Sequence, residues 1–599
     1  PAMTTYSAPL AEMRFVLNDL VGLDGVAALP GYEEASPDLV DAILEEAEKL
    51  ASGVIAPINH SGDRQGCVLE NGVVRTPEGF KDAYLQFIEG GWNGLPFDPT
   101  YGGQGLPWLV STAVSEIWHA ANMAFTLCPM LTGGAIELLS KHGSDALKAT
   151  FLENMTIGTW TGSMNLTEPQ AGSDLARIRT KAEPDGDAYR ITGNKIFITF
   201  GEHDMTDNIV HMVLARIVGA PEGVKGISLF LVPKFLVNDD GSLGDRNDLR
   251  CVSIEHKLGI NASPTAVMSF GDGGGAIGYL VGEKNRGLEY MFTMMNNERL
   301  AVGLEGVAIG ERAYQQALAY ARDRVQSRKL GDKNPDPVAI IEHPDVKRML
   351  LSMKSQTEAT RALAYYVAAA LDVAHRHPDT DARAAAQARV DLLTPVVKAW
   401  GSDTGIEVAS LGIQVHGGMG YIEETGAAQH YRDARITAIY EGTNGIQAND
   451  LVGRKVGREN AETVLALIAE MRTLEGEIAA SADADVQATG AHLTEAIDAL
   501  DAASRWIAET WSADAPAVGA VAVPYLRLLG LTAGGWLMCR SALAAAAKRA
   551  GNDGDGTLLR AKISSARFFA EHHLVQCPAL GRTVRQGSAT ITAFDTAGF

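Results

Sequence analysis

The chain has 599 residues, enough for three to four domains of ordinary size. Hydrophobic residues make up 46% and charged residues 21%, which is ordinary globular usage and excludes a disordered chain, a fibrous repeat or a coiled coil. The formal net charge of −22 argues against general binding to nucleic acid or to an anionic membrane surface, although it permits a local cationic pocket for a phosphorylated ligand.

The N-terminal part of the chain has the pattern of helices. Ser36-Pro37 predicts a helix start, because a capping hydroxyl precedes proline at the first helical position. Apolar residues from Leu39 to Leu50 then recur at helical spacing, with acids on the other face. We therefore predict an N-terminal helical domain over residues 3–160.

Short β-rich runs replace this pattern after Trp160. Residues 189–192 and 195–199 flank Gly193-Asn194, which predicts two strands joined by a two-residue turn. Together with later runs of the same kind, they predict a middle β domain over residues 161–284.

A glycine motif lies near the end of this β segment. Gly273, Gly275 and Gly278 match G-x-G-x-x-G, but a strand-like run follows them where a dinucleotide site needs a helix. The pattern therefore predicts an ordinary glycine loop.

Helical periodicity returns in long elements after Gly287. It predicts a helical bundle over residues 285–455 and a further, alanine-rich helical domain over 456–599. The second of these is interrupted by a Pro/Ala/Val loop predicted around Asp514 to Pro524. The order of domains is α, β, α, α, so the fold class is mainly α with a β middle domain.

Several kinds of site and location are not expected. The five cysteines are odd in number, lie far apart and form no C-x-x-C pair, so we expect neither a disulfide framework nor a metal site. No run of about 18 uncharged apolar residues occurs, so no stable membrane insertion is expected. The first residues show no charged segment followed by an apolar run, which favours a cytoplasmic protein.

Four stretches carry chemical information. Residues 167–174, T-E-P-Q-A-G-S-D, are small and hydroxylic, which suits close approach to a polar ligand. Residues 324–328, R-V-Q-S-R, end a predicted helix with two arginines that could meet a pyrophosphate or complement the helix terminus. In residues 414–420, Q-V-H-G-G-M-G, the glycines let backbone amides reach a ligand. Residues 439–443, I-Y-E-G-T, place an acid at a break between apolar helices, as a buried base or a helix cap.

In this order and spacing, and with F-I-T at 197–199, these stretches resemble the acyl-CoA dehydrogenase family of flavoproteins over about residues 40–455. The resemblance implies a helical N-domain, a β-barrel-like middle domain and a four-helix bundle, with FAD between the last two. The length is similar to that of the branch with an extra C-terminal helical domain. The motif I-Y-E-G-T-x-G-I-Q-A is similar to that of 3-methylmercaptopropionyl-CoA dehydrogenases.

The resemblance also implies the site residues. Those assigned to FAD are Met164, Leu166, Thr167, Ser173, Phe197, Thr199, Arg324, Gln326, Gln414, Gly417, Gly418 and Thr443. Those assigned to the acyl-CoA substrate are Ser173, Asn296, Arg299, Tyr440 and Gly442. Arg324, Gln326, Gln414 and the two glycines match positions that reach FAD across a subunit interface, which implies a homodimer. Asn444 and Gly445 differ from the residues most common in the family at these positions, and we assign them no role.

The implied reaction is α,β-dehydrogenation of an acyl-CoA thioester to a trans-2-enoyl-CoA, with electrons passing to an electron-transferring flavoprotein. Two acids match positions of the catalytic base. Glu441 matches the position that most of the family uses, and Glu298 matches the position of a minority. We choose Glu441 because its whole I-Y-E-G-T context is intact. The acyl chain is not encoded in a linear motif; straight medium-to-long chains and 3-methylthiopropanoyl-CoA are both candidates.

Two other functions occur on this fold. An acyl-CoA oxidase has the same fold and differs in passing electrons to oxygen, which no motif settles. A DNA-associated alkylation-response protein of this fold needs a basic C-terminal surface. Residues 456–599 hold 12 Lys and Arg against 16 Asp and Glu, which argues against it.

Overall fold

The computed structural model describes residues 5–599, so the predicted first boundary at Met3 lies outside the described residues. The chain divides into two compact units. We call residues up to Glu48, 107–120 and 299–599 the bundle unit. Residues 49–106 and 121–298 form the barrel unit.

Helices dominate the described residues, as predicted. The α-helices of eight or more residues are Pro37–Leu50, Phe80–Glu89, Trp108–Ala121, Met123–His142, Gly287–Asp323, Pro344–Arg376, Thr380–His416, Ala427–Arg435, Glu462–Ala479, Gly490–Thr510, Ala522–Ala550, Gly556–His572 and Cys577–Gln586. The shorter ones are Leu10–Phe15, Leu23–Ala27, Asn59–Gln65, Asp145–Leu147, Glu153–Ile157, Asn444–Asp450, Ala484–Gln487, Ala515–Ala520 and Ser588–Ala593.

The strands are short and mostly belong to the barrel unit. In chain order they are β1 Val68–Glu70, β2 Val73–Arg75, β3 Trp160–Asn165, β4 Lys181–Asp185, β5 Ala188–Thr199, β6 Asn208–Ile217, β7 Ser228–Pro233, β8 Phe235–Val237, β9 Leu243–Arg246, β10 Leu249–Ile254, β11 Thr265–Phe270, β12 Ala276–Val281, β13 Val325–Arg328 and β14 Pro337–Ala339.

Five strands of the barrel unit close into a ring. Strand β5 pairs with β12, β12 with β7, β7 with β6, β6 with β4, and β4 again with β5. Closure removes free strand edges, and β3 and β11 extend the ring from β6 and β5. The interior is apolar and includes Ile191, Val213, Phe230 and Met268, all nearly inaccessible to solvent. The barrel-like middle domain is therefore confirmed.

The predicted turn at Gly193-Asn194 is wrong. Strand β5 runs through both residues without a break. Its first half pairs with β4, up to Thr192, and its second half pairs with β11, from Gly193 onward. The change of partner at the glycine explains why a turn-like pair of residues lies inside one long strand. The glycine loop at 271–275 joins strands β11 and β12, as predicted, and Gly278 of the motif lies inside β12.

In the bundle unit, three long helices lie side by side. Helices Pro344–Arg376 and Thr380–His416 pack along each other, and helix Ala522–Ala550 packs against both. The predicted helix start at Ser36 is confirmed, because the Ser36 hydroxyl accepts a hydrogen bond from the Leu39 amide at 3.2 Å. The loop predicted around Asp514 to Pro524 is largely helical, with Asp514 capping helix Ala515–Ala520.

All five cysteines are free thiols, as expected. Among the described residues, no group of three or more metal-ligating side chains occurs. Helices Met123–His142 and Ala522–Ala550 have the length and apolar composition of a membrane span, but 72% and 83% of their most apolar windows are buried inside the protein. Such burial is what core helices show.

Candidate active site

In the barrel unit, the loop after β3 is fastened to β5 by a buried ion pair. The ammonium of Lys195 lies 2.8 Å from a carboxylate oxygen of Glu168 and donates to the Leu166 carbonyl at 2.9 Å. The Glu168 carboxylate also accepts from the Arg179 amide at 2.7 Å and from the Thr180 hydroxyl at 2.8 Å. These bonds fix the T-E-P segment in place.

Charge and burial oppose each other in this pair. Burial lowers the pKa of Lys195 to about 8. Burial acts to raise the pKa of Glu168, but Lys195 and the hydrogen bonds outweigh it and hold the pKa below its usual value. Both groups are therefore charged near neutral pH.

The predicted flavin contacts of the barrel unit lie around this pair. The Ile196 amide donates to the Thr167 carbonyl at 2.9 Å, which sets the T-E-P loop beside the F-I-T segment. Phe197 is 60% exposed and has a left-handed backbone with φ of +59°. A large exposed apolar ring in a strained conformation needs a reason, and an apolar partner such as the flavin ring supplies one. Thr167, Met164 and Thr199 are partly exposed, Leu166 is buried, and Ser173 is exposed.

Two further predicted residues lie in helix Gly287–Asp323, within the barrel unit. Asn296 is exposed, whereas Glu298 is buried, with 1% of its surface accessible. Glu298 lies close to helix Met123–His142, since a methyl group at Gly134 would come within 2.3 Å of its carboxylate.

In the bundle unit, Glu441 lies in a strained turn between helices. Glu441 has φ of +59° and Gly442 has φ of +79°, so two consecutive residues are left-handed. A left-handed glutamate is disfavoured and persists only where its surroundings hold it. Gln447 does so by donating to the carbonyls of Glu441 and Gly442 at 3.1 and 3.3 Å. The Thr443 hydroxyl caps helix Asn444–Asp450 by accepting from the Ile446 amide at 3.3 Å.

Side chains on both sides tie this turn to long helices. The Tyr440 hydroxyl donates to the Glu305 carboxylate of helix Gly287–Asp323 at 2.5 Å. On the other side, Lys398 of helix Thr380–His416 donates to the Asn444 carboxamide at 2.8 Å. Glu441 is therefore presented from a segment that is anchored at both ends.

The Glu441 carboxyl has an altered acidity. Burial raises its pKa to about 7, against the opposing influence of Lys398 and Arg299. Arg299 lies 3.6 Å from Asp450 and is almost fully buried. A carboxyl with this pKa can accept a proton near neutral pH, which is what a general base requires.

The predicted cross-subunit residues come together at another place in the bundle unit. The rings of Tyr320 and His416 lie 4.5 Å apart, so the ends of helices Gly287–Asp323 and Thr380–His416 are neighbours. Arg324 and Gln414 follow or flank these ends and are exposed. Arg324 directly follows the helix end at Asp323, as predicted, and Gln326 lies in β13, which takes up the rest of the R-V-Q-S-R segment.

The two glycines predicted to contact FAD are open. A Cβ atom at Gly417 or Gly418 would meet nothing within 4 Å, and both residues are exposed. Their backbone is thus accessible to a ligand. Open glycines beside exposed arginine and glutamine fit the phosphate and sugar groups of a dinucleotide.

Four positions of the site were missed in the sequence. Lys195, Glu305 and Lys398 are charged residues within otherwise apolar runs, and that is the signal that could have found them. Asn444 departs from the commonest family sequence and received no predicted role, yet it makes more side-chain hydrogen bonds than its neighbours in the turn.

Four family models match the chain. They are "Acyl-CoA dehydrogenase, N-terminal domain" over residues 39–159, "Acyl-CoA dehydrogenase, middle domain" over 163–272, "Acyl-CoA dehydrogenase, C-terminal domain" over 285–456 and "Acetyl-CoA dehydrogenase C-terminal like" over 467–595.

Known proteins resemble the chain over its whole length. A 3-methylmercaptopropionyl-CoA dehydrogenase of Ruegeria pomeroyi is 50% identical over 98% of this chain and 100% of its own. The broad-specificity linear acyl-CoA dehydrogenase FadE5 of Mycobacterium tuberculosis is 34% identical over 100% of both. The structure of a Bacillus anthracis acyl-CoA dehydrogenase complexed with FAD covers 97% of this chain and 92% of its own, with 20% identity and a TM-score of 0.73, which supports the fold.

These findings confirm the predicted resemblance, the fold class, the extra C-terminal domain and FAD as the cofactor of the family. Both relatives are named dehydrogenases, which gives the oxidase alternative no support. The individual site residues and the exact domain boundaries remain predictions. The chain belongs to the acyl-CoA dehydrogenase family of flavin-dependent oxidoreductases.

Proposed function

We propose that this protein removes hydrogen from Cα and Cβ of an acyl-CoA thioester and that Glu441 is the catalytic base. The observation that carries the assignment is the turn at residues 440–444, which is anchored at both ends and holds Glu441 in a strained conformation. Strain maintained by neighbouring bonds is typical of functional positions. Glu298 is buried in the barrel unit and has a supporting role.

The protein's own groups perform the proton part of the reaction. Glu441 takes the proton from Cα of the thioester as the hydride leaves Cβ, and the product is a trans-2-enoyl-CoA. Bound FAD supplies the hydride acceptor. Arg299 and Lys398 stabilise the carboxylate before the proton arrives. A backbone amide near the base would meet the charge that develops on the thioester oxygen.

The proposed cofactor contacts are the residues that the family resemblance implies. The flavin ring would be held by Phe197, Met164, Leu166, Thr167 and Thr199, with Ser173 toward its phosphates. Thr443 would contribute a further FAD contact, beside the proposed base Glu441. Arg324 follows Glu305 of helix Gly287–Asp323 by nineteen residues, and Gly417 follows Lys398 of helix Thr380–His416 by the same number, which is about 28 Å of helix. This separation favours a second flavin as their ligand, and hence a homodimer in which each chain completes its partner's site.

The substrate is proposed from the relatives. Identity of 50% over nearly the whole chain favours 3-methylmercaptopropionyl-CoA, and the linear acyl-CoA dehydrogenase at 34% makes straight-chain acyl-CoAs the second candidate. Electrons leave through an electron-transferring flavoprotein in the cytoplasm. Anaerobic reduction of the bound flavin by 3-methylmercaptopropionyl-CoA and by straight chains of increasing length ranks these substrates directly.

The base is tested by replacing Glu441→Gln, which keeps the shape and removes the proton acceptor. Flavin reduction by acyl-CoA should slow by about 10²–10⁴-fold while FAD remains bound. The measurement is stopped-flow bleaching of the flavin absorbance.

Glu298→Gln is the matched control, because it makes the same change at the other candidate. Glu298→Gln should slow flavin reduction much less than Glu441→Gln does. If Glu298→Gln abolishes bleaching and Glu441→Gln keeps most of it, the assignment of the base is wrong.

A further inference from the structure

A buried lysine lies beside the proposed base and is not needed as a proton acceptor or as a cofactor contact. Lys398 is in the middle of helix Thr380–His416 and has no accessible surface. Burying an ammonium group is costly unless a nearby group uses its charge. Its position therefore needs a functional explanation.

Asn444 holds this ammonium and also holds the turn that carries Glu441. Its carboxamide oxygen accepts from Lys398 at 2.8 Å, and its amide donates to the Asp403 carboxylate at 2.8 Å and the Ser402 hydroxyl at 3.0 Å. It also donates to the Ala399 carbonyl at 3.2 Å. One side chain, three residues after the base, thus joins the turn to a full turn of the helix.

The charged groups around Lys398 come from each element that packs against it. Helix Gly287–Asp323 supplies Arg299 and Glu305, its own helix supplies Asp403, and the turn supplies Glu441. Asp450, in the helix after the turn, is paired with Arg299 and lies 3.5 Å from Arg454. Burial lowers the pKa of Lys398 to about 8, so the ammonium remains charged at neutral pH.

Glu305 does not compete for this charge. Burial raises its pKa to about 8, so it carries a proton at neutral pH. One of its oxygens accepts from Tyr440, and the other is buried with no hydrogen-bond partner within the described residues. A neutral carboxyl is less costly than a carboxylate in such a place. The nearby carboxyl that benefits from Lys398 is therefore Glu441.

We propose that Lys398, oriented by Asn444, is a positioning residue that keeps Glu441 ionised before each turnover. The inference rests on the proposed function, in which Glu441 is the base. It adds a role for two residues outside the sets assigned to FAD and to the substrate.

The test is the pH dependence of flavin reduction in Lys398→Met. The base must be deprotonated to act, so the rate rises with pH through the pKa of Glu441. Removing a nearby positive charge should move that apparent pKa upward by about one unit or more. The rate above the new pKa should stay close to that of the unchanged protein, and the FAD content should be retained. Lys398→Gln, which keeps a hydrogen-bond donor, should show the same shift.

One variant serves as a control. Lys562→Met removes another fully buried lysine of the bundle unit, one that pairs with Glu12 at 2.7 Å, and should lower thermal stability without moving the profile.

The outcomes separate the two claims. If no acyl-CoA reduces the flavin of the unchanged protein, the proposed function fails. If reduction is normal there but neither Lys398 variant shifts the profile, the inference is overturned. Loss of FAD from both Lys398 variants would also overturn it, because it would make Lys398 a structural residue.

Discussion

At the scale of single residues, the buried pair of Lys195 and Glu168 shows how charge can fix a loop. An exposed ion pair contributes little, because water and mobile side chains offset the attraction. Here both side chains are almost fully inaccessible, and the carboxylate also binds backbone amides. Removing one partner would leave the other buried and uncompensated.

Lys195→Met should therefore destabilise the barrel unit by about 3–5 kcal/mol. FAD should also bind more weakly, because the T-E-P loop loses its attachment. Thermal unfolding with and without added FAD measures both effects.

Lys181→Met is the matched control on the neighbouring strand β4. Lys181 pairs with Glu183 at 3.1 Å, but both are about half exposed, so the cost should be about 1 kcal/mol or less. If Lys195→Met and Lys181→Met lost the same amount of stability, this account of the buried pair would be contradicted.

At the scale of elements, glycines let two long helices approach closely. A Cβ atom at Gly306 would lie 2.0 Å from the Gly401 carbonyl oxygen, and one at Gly303 would lie 2.4 Å from the Val397 carbonyl oxygen. Helices Gly287–Asp323 and Thr380–His416 are thus in backbone contact. This contact brings Glu305 and Lys398 to the same turn.

Gly306→Ala should separate these helices and cost about 1–3 kcal/mol of stability, and it should slow flavin reduction by disturbing both supports of Glu441. Gly476→Ala is the control, because Gly476 lies inside helix Glu462–Ala479 with nothing within 4 Å of the added atom. It should stabilise the protein by about 0.4–1 kcal/mol. Thermal midpoints measure the stability of both variants, and stopped-flow rates measure their flavin reduction. If Gly306→Ala changed neither quantity, the close contact between the helices would be contradicted.

The elements also show what the sequence could predict. Periodicity and turn residues predicted the helical and β segments, and ordered motifs predicted the family. Periodicity could not show that β5 passes through Gly193-Asn194, because that depends on partners distant in the chain. Periodicity could not assign a role to Lys398 either. That role depends on Asn444, which contacts Lys398 only in the folded protein.

At the scale of the whole molecule, the extra C-terminal domain covers a face of the bundle. Trp400 of helix Thr380–His416 lies against Gly530 and Gly534, where a Cβ atom would come within 2.5 and 2.3 Å of the indole. Helix Ala522–Ala550 thereby buries an aromatic side chain of the bundle, with 3% of its surface accessible. We predict that this covering keeps a second dimer from packing against the face to form a tetramer.

We therefore predict a homodimer in solution. Large apolar side chains are exposed near the predicted cross-subunit residues, among them Leu330 at 80% and Tyr421 at 87%, and exposed apolar groups of this kind mark protein interfaces. Light scattering of the FAD-bound protein should give twice the chain mass of 63.6 kDa. A monomer that retains FAD would contradict the shared site. A tetramer would be compatible with an FAD site shared between two chains and would contradict only the covering role of helix Ala522–Ala550.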